Sequence, residues 1–184
     1  MASISPPVCN FGWQTPDFNL NNIDGEMVNL KNSMGHNGLL VMFICNHCPY
    51  VKAILPRLID DIHELKMLGI NTVAIMSNDP SDYPEDSVEN MQKIAREMAF
   101  PFPYLLDETQ EIAKKYDAVC TPDFFGFNKH FALQYRGRFD ESRKETAPNS
   151  TRDLFKAMKL VAETGQGPKE QIQSIGCSIK WRES

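Results

Sequence analysis

The segment that decides the fold is LLVMFICNHCP, residues 39–49. Its first six residues form an apolar run that is too short to cross a membrane, so they predict a buried strand over 39–44. Residues 49–68 are apolar at every third or fourth position, which is the spacing of an amphipathic helix. Cys45 and Cys48 therefore lie between the end of a strand and the start of a helix.

Two cysteines at this junction indicate thiol–disulfide chemistry. Unpartnered backbone N–H groups and the helix dipole favour an anion there, so the position should lower a thiol pKa and favour the reactive thiolate. Two intervening residues allow Cys45 and Cys48 to close a disulfide. Two alternatives stay open, an inert pair of thiols and a zinc site with His47, Cys120 or His130 as further ligands. Because no second Cys-x-x-Cys motif is present, we expect no metal.

Length and composition are those of an ordinary globular domain. The chain has 184 residues, which predicts a single domain over 1–184 that needs no disulfide for folding. The net charge of −5 argues against nucleic acid or an anionic membrane as a partner. The oligomeric state is not predicted.

The cysteine content and the first residues of the chain predict a cytoplasmic location. Five cysteines are an odd number, so a complete set of structural disulfides is not expected. Residues 1–20 lack the charge and apolar core of a signal peptide. In a reducing compartment, a Cys-x-x-Cys pair is more often catalytic or metal-binding than structural.

Strand and helix patterns alternate along the chain. The predicted elements are a hairpin at 17–20 and 27–30, a strand at 39–44, a helix at 49–68 kinked at Pro56, a strand at 70–76, a helix at 85–98, a strand at 104–106, a short helix to 116, strands at 124–127 and 132–135, and a helix at 151–163. Residues 1–14 are expected to be an irregular lead-in, and the tail at 166–184 is not assigned. The order predicts an α/β fold, a central mixed sheet flanked by helices, with the site at the carboxyl end of a strand.

These motifs together resemble the thioredoxin-like superfamily. The Cys-x-x-Cys unit at 45–48 and the CTPDFF segment at 120–125 resemble its redox motif and its cis-proline loop. The N-terminal segment at 15–30 resembles the redoxin branch, the alkyl hydroperoxide reductase/thiol-specific antioxidant proteins, and YRGR at 135–138 suggests a peroxiredoxin-like subgroup. The resemblance covers residues 15 to about 160.

The resemblance implies roles for individual residues of the site. Cys45 is expected to be the attacking sulfur and the more exposed of the two, and Cys48 the resolving thiol of a mixed disulfide. Pro122 is expected to be cis, which would expose the Thr121 backbone to an extended substrate, although an ordinary trans proline stays an alternative. A protonated His47 would favour the Cys45 thiolate, unless its side chain is exposed and has little effect.

Three further cysteines are less informative. Cys120 is either a third redox thiol near the site or a small core residue. Cys9 and Cys177 lie near the termini and are given no role.

The function predicted first is thiol–disulfide oxidoreductase, with Cys45 and Cys48 cycling between dithiol and disulfide. It needs a protein or small-molecule disulfide substrate and a thiol electron donor, and no cofactor beyond the redox-active disulfide. A peroxiredoxin-like thiol peroxidase is the alternative, with Arg136 or Arg138 as the activating arginine. The peroxidase motif Pro-x-x-x-Thr-x-x-Cys is broken, however, because Val41 replaces its proline and Cys45 its threonine.

A non-catalytic binding module is a third hypothesis, which the presence of both cysteines disfavours. Thioredoxin has a buried acid beneath its site, whereas strand 39–44 contains none. Proton transfer is therefore expected to depend on His47 or on a residue from another segment.

Overall fold

The computed structural model describes residues 3–183, in which a mixed sheet carries the site. Its strands are β2 (Asn19–Asn22), β3 (Met27–Asn29), β4 (Gly38–Phe43), β5 (Ile70–Met76), β6 (Tyr104–Leu106), β8 (Asp123–Asn128) and β9 (Leu133–Tyr135), in the spatial order β3-β2-β6-β5-β4-β8-β9. A smaller sheet consists of β1 (Ser3–Ile4), β10 (Gly176–Ser178) and β7 (Cys120–Thr121), in that order.

Helices lie against the larger sheet. They are α1 (Leu30–Ser33), α2 (Pro49–Lys52), α3 (Leu55–Met67), α4 (Val88–Glu97), α5 (Glu111–Lys115) and α6 (Asp153–Thr164), with a 3-10 turn at Pro84–Asp86. Among the described residues, no helix is both long enough and apolar enough to cross a bilayer.

Strand β4 is the centre of the fold. It runs parallel to β5 and antiparallel to β8, and every one of its residues is buried. Leu40 and Met42 contribute to the core on one face, and Leu39, Val41 and Phe43 contribute to the core on the other. A strand covered on both faces reads as a continuous apolar run, which explains why this segment was recognisable in the sequence. The predicted mixed α/β, thioredoxin-like fold with its N-terminal hairpin is confirmed.

Most predicted elements lie where the sequence places them. The strands predicted at 70–76 and 104–106 are β5 and β6. The helix predicted at 49–68 is interrupted between α2 and α3, because Pro56 lacks the N–H that a continuous helix needs. Gly69, with φ +80°, follows the end of α3.

Two predictions about the termini and one helix boundary are corrected. The lead-in at 1–14 contains β1, and the unassigned tail contains β10, which pairs with both β1 and β7. Residues 1–2 and 184 lie outside the described part of the chain. The helix predicted at 85–98 begins only at Val88, because the side chain of Ser87 caps it.

Candidate functional site

Cys45 and Cys48 lie together at the junction of β4 and α2. Cys45 follows the end of β4 by two residues, and Cys48 is the N-cap of α2. Both are free cysteines and belong to the same cluster of buried core residues. Cys45 is 2% and Cys48 0% exposed, so both sulfurs are buried and Cys45 is more exposed than Cys48 only by this small margin.

The environment of Cys48 favours its thiolate. A hydrogen bond from the Cys45 thiol, with further donors from the Cys177 side chain and the backbone N–H groups of Val51 and Cys177, outweighs burial and lowers the pKa of Cys48 from 9.0 to about 5. The carbonyl oxygen of Thr121, 3.2 Å from Cys48 Sγ, can accept from the protonated thiol. The groups that lower the pKa of Cys48 outweigh the Thr121 acceptor and burial, so the thiolate form of Cys48 is favoured.

The environment of Cys45 favours its protonated thiol. Burial is the largest cause, and the hydrogen bond with Cys48 and the negative charge of Asp86 add to it, so the pKa of Cys45 is raised well above its ordinary value. This direction differs from the Cys45 thiolate that the sequence predicts. Cys48, not Cys45, is the N-cap of α2, and its sulfur is the one that receives backbone N–H donors.

Thr121 and Pro122 face the two sulfurs, and the peptide bond between them is cis, as the sequence predicts. Thr121 Oγ1 lies 3.2 Å from Cys45 Sγ. The Thr121 backbone is 2% exposed and is paired opposite Cys177 in the β7–β10 ladder. The expectation that Thr121 is open to an extended substrate is wrong, because the chain's own β10 lies along that edge.

A buried acid, Asp86, reaches the site from the turn at Pro84–Asp86. Its Oδ1 accepts from the backbone N of Asn46 at 2.7 Å and of His47 at 3.2 Å. Its Oδ2 lies 2.5 Å from His47 Nδ1 and accepts from Asn78 Nδ2 at 2.9 Å. Burial would raise the pKa of Asp86, but the hydrogen bonds from His47 and Asn78 hold it below its usual value.

Asp86 is the functional residue that sequence reasoning missed. The loop that carries it follows β5, a strand parallel to β4, so the two carboxyl ends share one edge of the sheet. An acid in the loop after β5 was therefore a candidate for the site, because both strands end at the same edge of the sheet. The acid expected beneath the redox motif is supplied by this neighbouring loop.

His47 is held between Asp86 and Tyr83. It is 8% exposed, and its ring stacks on that of Tyr83 at a centroid distance of 4.4 Å. Its Nε2 is buried without a hydrogen-bond partner. The alternative of an exposed, inconsequential histidine is therefore wrong, and an imidazole tied to a carboxylate lies beside the thiols.

A metal site was the other use considered for these side chains. Within residues 3–183, one group has ligand atoms close enough for an ion, namely Cys45, His47 and Asp86, with all three atoms within 4.8 Å of one another. Both Asp86 oxygens already accept hydrogen bonds. His130 lies at the far end of the sheet, in the turn after β8, and Cys120 is not part of the group. Hydrogen bonding accounts for the carboxylate contacts in this group.

Cys120 and Cys177 are placed differently from each other. Cys120 is buried, its Sγ donates to the Pro122 carbonyl at 3.5 Å, and burial raises its pKa far above the ordinary range. Cys177 is buried as well, but it belongs to the same core cluster as Cys45 and Cys48, and Cys120 does not. The third thiol beside the pair is therefore Cys177, which sequence reasoning passed over.

The two arginines considered for a peroxide pocket have other contacts. Arg136 is buried against Asp123, with 3.0 Å between Nη2 and Oδ2, and lies over the Phe125 ring in the core opposite the site. Arg138 pairs with Asp153 at 2.7 Å. It also lines a cavity of about 230 Å³ whose wall includes Pro122.

Comparisons with known proteins show the family of the chain. Residues 11–140 match the model of the AhpC/TSA family. The chain is similar to an uncharacterized conserved protein of Geobacillus kaustophilus, at 44% identity and TM-score 0.94, covering 100% of this chain and 98% of that one. It is similar to a hypothetical protein of Sinorhizobium meliloti 1021, at 34% identity and TM-score 0.92, covering 98% and 99%.

A more distant likeness concerns the fold alone. A thiol:disulfide interchange protein of the thioredoxin family from Chlorobium tepidum TLS superimposes at TM-score 0.64 with 14% identity, covering 82% of this chain and 97% of that one. No curated protein matches the chain in sequence.

Proposed function

The chain belongs to the AhpC/TSA family, and we propose that it is a thiol oxidoreductase whose Cys45 and Cys48 cycle between dithiol and disulfide. One observation carries the proposal. The two thiols lie in one core cluster, each 3.2 Å from an oxygen of Thr121, with the lowered pKa on Cys48 and the raised pKa on Cys45. A thiolate beside a thiol is the arrangement that attacks a substrate and then resolves the product.

The reaction proceeds in two exchanges on Cys48. The Cys48 thiolate attacks a disulfide R–S–S–R, forms a mixed disulfide and releases one thiolate R–S⁻. Cys45 then gives up its proton and attacks the Cys48 sulfur, which closes the Cys45–Cys48 disulfide and releases the second R–S⁻. This order reverses the Cys45-first mixed disulfide expected from the resemblance, because the favoured thiolate is on Cys48. A thiol electron donor would return the pair to the dithiol.

Two side chains lie close enough to the Cys45 thiol to affect its proton. Thr121 Oγ1 lies 3.2 Å from its sulfur, and His47 lies within 4.8 Å, tied to Asp86. His47 is the titratable base of this group with an unpartnered nitrogen. We propose that His47 takes the Cys45 proton when Cys45 attacks.

The proposed substrate is a small disulfide rather than an extended peptide. Both sulfurs are buried, and β10 is already paired along the edge where a peptide would add to Thr121. The cavity of about 230 Å³ beside Pro122 would leave room only for a small molecule.

Kinetics with matched variants test this function. We expect reduced wild type to consume cystamine with loss of two thiols per chain, Cys48→Ser to lose the reaction, and Cys45→Ser to form the mixed disulfide on Cys48 without closing a Cys45–Cys48 disulfide. Cys9→Ser is the control, since Cys9 lies outside the site and should leave the rate unchanged. Full activity of Cys48→Ser would refute the proposed order of attack.

Peroxide reduction is the second candidate function. Its support is the enclosure of a Cys48 thiolate, because a hydroperoxide is small enough to reach a sulfur that a protein disulfide cannot. Cys48 would become a sulfenic acid, and attack by Cys45 would form the disulfide and release water. Stopped-flow oxidation by hydrogen peroxide decides between the two. A rate far above that of a free thiol would favour peroxidase, and a rate like that of a free thiol would leave disulfide exchange.

We propose, further, a cellular location and an electron donor for the protein. A cytoplasmic location and a thiol electron donor are consistent with a site that works from the dithiol state. The single-domain organisation predicted over 1–184 also stays a prediction.

A further inference from the structure

We infer that Cys177 is a third redox thiol of this site and exchanges with the Cys45–Cys48 disulfide to form a Cys48–Cys177 disulfide. The inference extends the proposed function, on which it rests. It concerns the tail strand β10, which lies outside both the Cys-x-x-Cys motif and the residues matched by the family model.

Cys177 lies beside Cys48 in the core. Both belong to one cluster of buried residues together with Cys45, and α2, which Cys48 caps, packs against β10. Cys48 Sγ lies 3.2 Å from the carbonyl oxygen of Thr121, the residue that Cys177 is paired opposite. Cys177 is only 2% exposed, so it has no role as a surface thiol. Cys48 therefore has two neighbouring thiols, Cys45 and Cys177.

The backbone holds Cys177 in this position from both sides. Cys177 is paired opposite Thr121 of β7 and opposite Ser3 of β1. Ser174 Oγ donates to the Pro122 carbonyl at 3.0 Å, which fixes the approach to β10. A Cβ on Gly176 would lie 2.1 Å from the Thr121 carbonyl oxygen, so only glycine permits this close approach.

The exchange is an isomerisation and needs no outside oxidant. The Cys177 thiol loses its proton, and its sulfur attacks Cys48. The Cys48–Cys177 bond forms while the Cys45–Cys48 bond breaks, and Cys45 leaves as a thiolate that takes up the proton. The number of disulfides is unchanged, but β10 is now covalently attached to the start of α2.

Burial and the hydrogen bond with Cys48 raise the pKa of Cys177 to about 12. Burial is the largest cause, and the negative charge of a Cys48 thiolate adds to it. Once Cys48 is oxidised, that charge is gone and the pKa of Cys177 falls.

The test uses Cys45→Ser, which removes the competing thiol. This variant is treated with one equivalent of cystamine, the remaining thiols are alkylated, and the disulfides are mapped by mass spectrometry. We expect a Cys48–Cys177 link in Cys45→Ser, and cysteamine retained on Cys48 when Cys177→Ala is added. The mixed disulfide should disappear about tenfold faster, or more, when Cys177 is present, because an intramolecular thiol acts at a high effective concentration.

Controls separate the possible failures. Adding Cys9→Ser to Cys45→Ser should leave the Cys48–Cys177 link intact, and circular dichroism checks that each variant is folded. If folded Cys45→Ser retains cysteamine as long as the chain that also lacks Cys177, the inference is overturned and the proposed function stands. If wild type forms no Cys45–Cys48 disulfide, the proposed function fails, and Cys45→Ser still decides the role of Cys177.

Discussion

Replacing Asp86 by asparagine tests the hydrogen-bond network behind the thiols. Asp86 is 0% exposed, and its carboxylate contacts two backbone N–H groups and the side chains of His47 and Asn78. Asparagine can still accept from the backbone through Oδ1, but its NH₂ group would face the Nδ2 donor of Asn78. Two hydrogen bonds to a charged acceptor are lost, so we expect a loss of about 3 to 5 kcal/mol in the free energy of unfolding.

Asp86→Asn should also change how stability depends on pH and how easily the Cys45–Cys48 disulfide is reduced. Because the pKa of Asp86 is lowered on folding, its contribution to stability is present above the unfolded value and is lost as the pH falls through the folded one. The gap between wild type and Asp86→Asn should therefore narrow below about pH 4. Removal of a negative charge that raises the pKa of Cys45 should also favour the dithiol and make the disulfide easier to reduce.

Urea unfolding of the reduced protein at several pH values measures the first effect, and equilibrium with glutathione measures the second. The matched control is Glu85→Gln, which removes the same charge from the adjacent, exposed position and should change stability by no more than about 0.5 kcal/mol. An Asp86→Asn variant as stable as Glu85→Gln would refute the account of this network.

Two further substitutions probe the same region. His47→Ala leaves Asp86 buried without its imidazole partner, so it should cost about 3 to 5 kcal/mol and should make the disulfide harder to reduce, since the unscreened charge further raises the pKa of Cys45. An unchanged glutathione equilibrium would show that the imidazole has no influence on the thiols. Gly176→Ala places a Cβ 2.1 Å from the Thr121 carbonyl oxygen, so β10 should shift, with a loss of about 1 to 3 kcal/mol and faster alkylation of the native thiols. Unchanged alkylation rates would contradict the proposed covering role of β10.

The parts of the fold that the sequence predicted are those encoded by local patterns. The continuous apolar run of β4 reflects burial on both faces, and the break before α3 reflects the missing N–H of Pro56. The position of Cys45 and Cys48 at a strand end follows from the same two elements. The cis bond before Pro122 was inferred by resemblance rather than from a local pattern.

The parts that could not be predicted depend on contacts between distant segments. Asp86 reaches the site because the loop after β5 shares an edge with β4, and Cys177 reaches it because the tail pairs with β7. A strand of three residues, such as β10, is too short to give a periodic sequence pattern. The order of the thiol pKa values depends on which sulfur those segments supply with donors, and a position at a helix start does not encode that order.

The most direct test of the account is a titration of thiolate ultraviolet absorbance in the fully reduced protein, for wild type, Cys45→Ser and Cys48→Ser. The account predicts a transition with an apparent pKa of about 5 in wild type that is absent from Cys48→Ser. It also predicts a higher pKa for the same thiol in Cys45→Ser if the weaker serine hydroxyl replaces the Cys45 donor. A low-pH transition that persists in Cys48→Ser and disappears in Cys45→Ser would contradict the central claim that the reactive thiolate of this pair is Cys48.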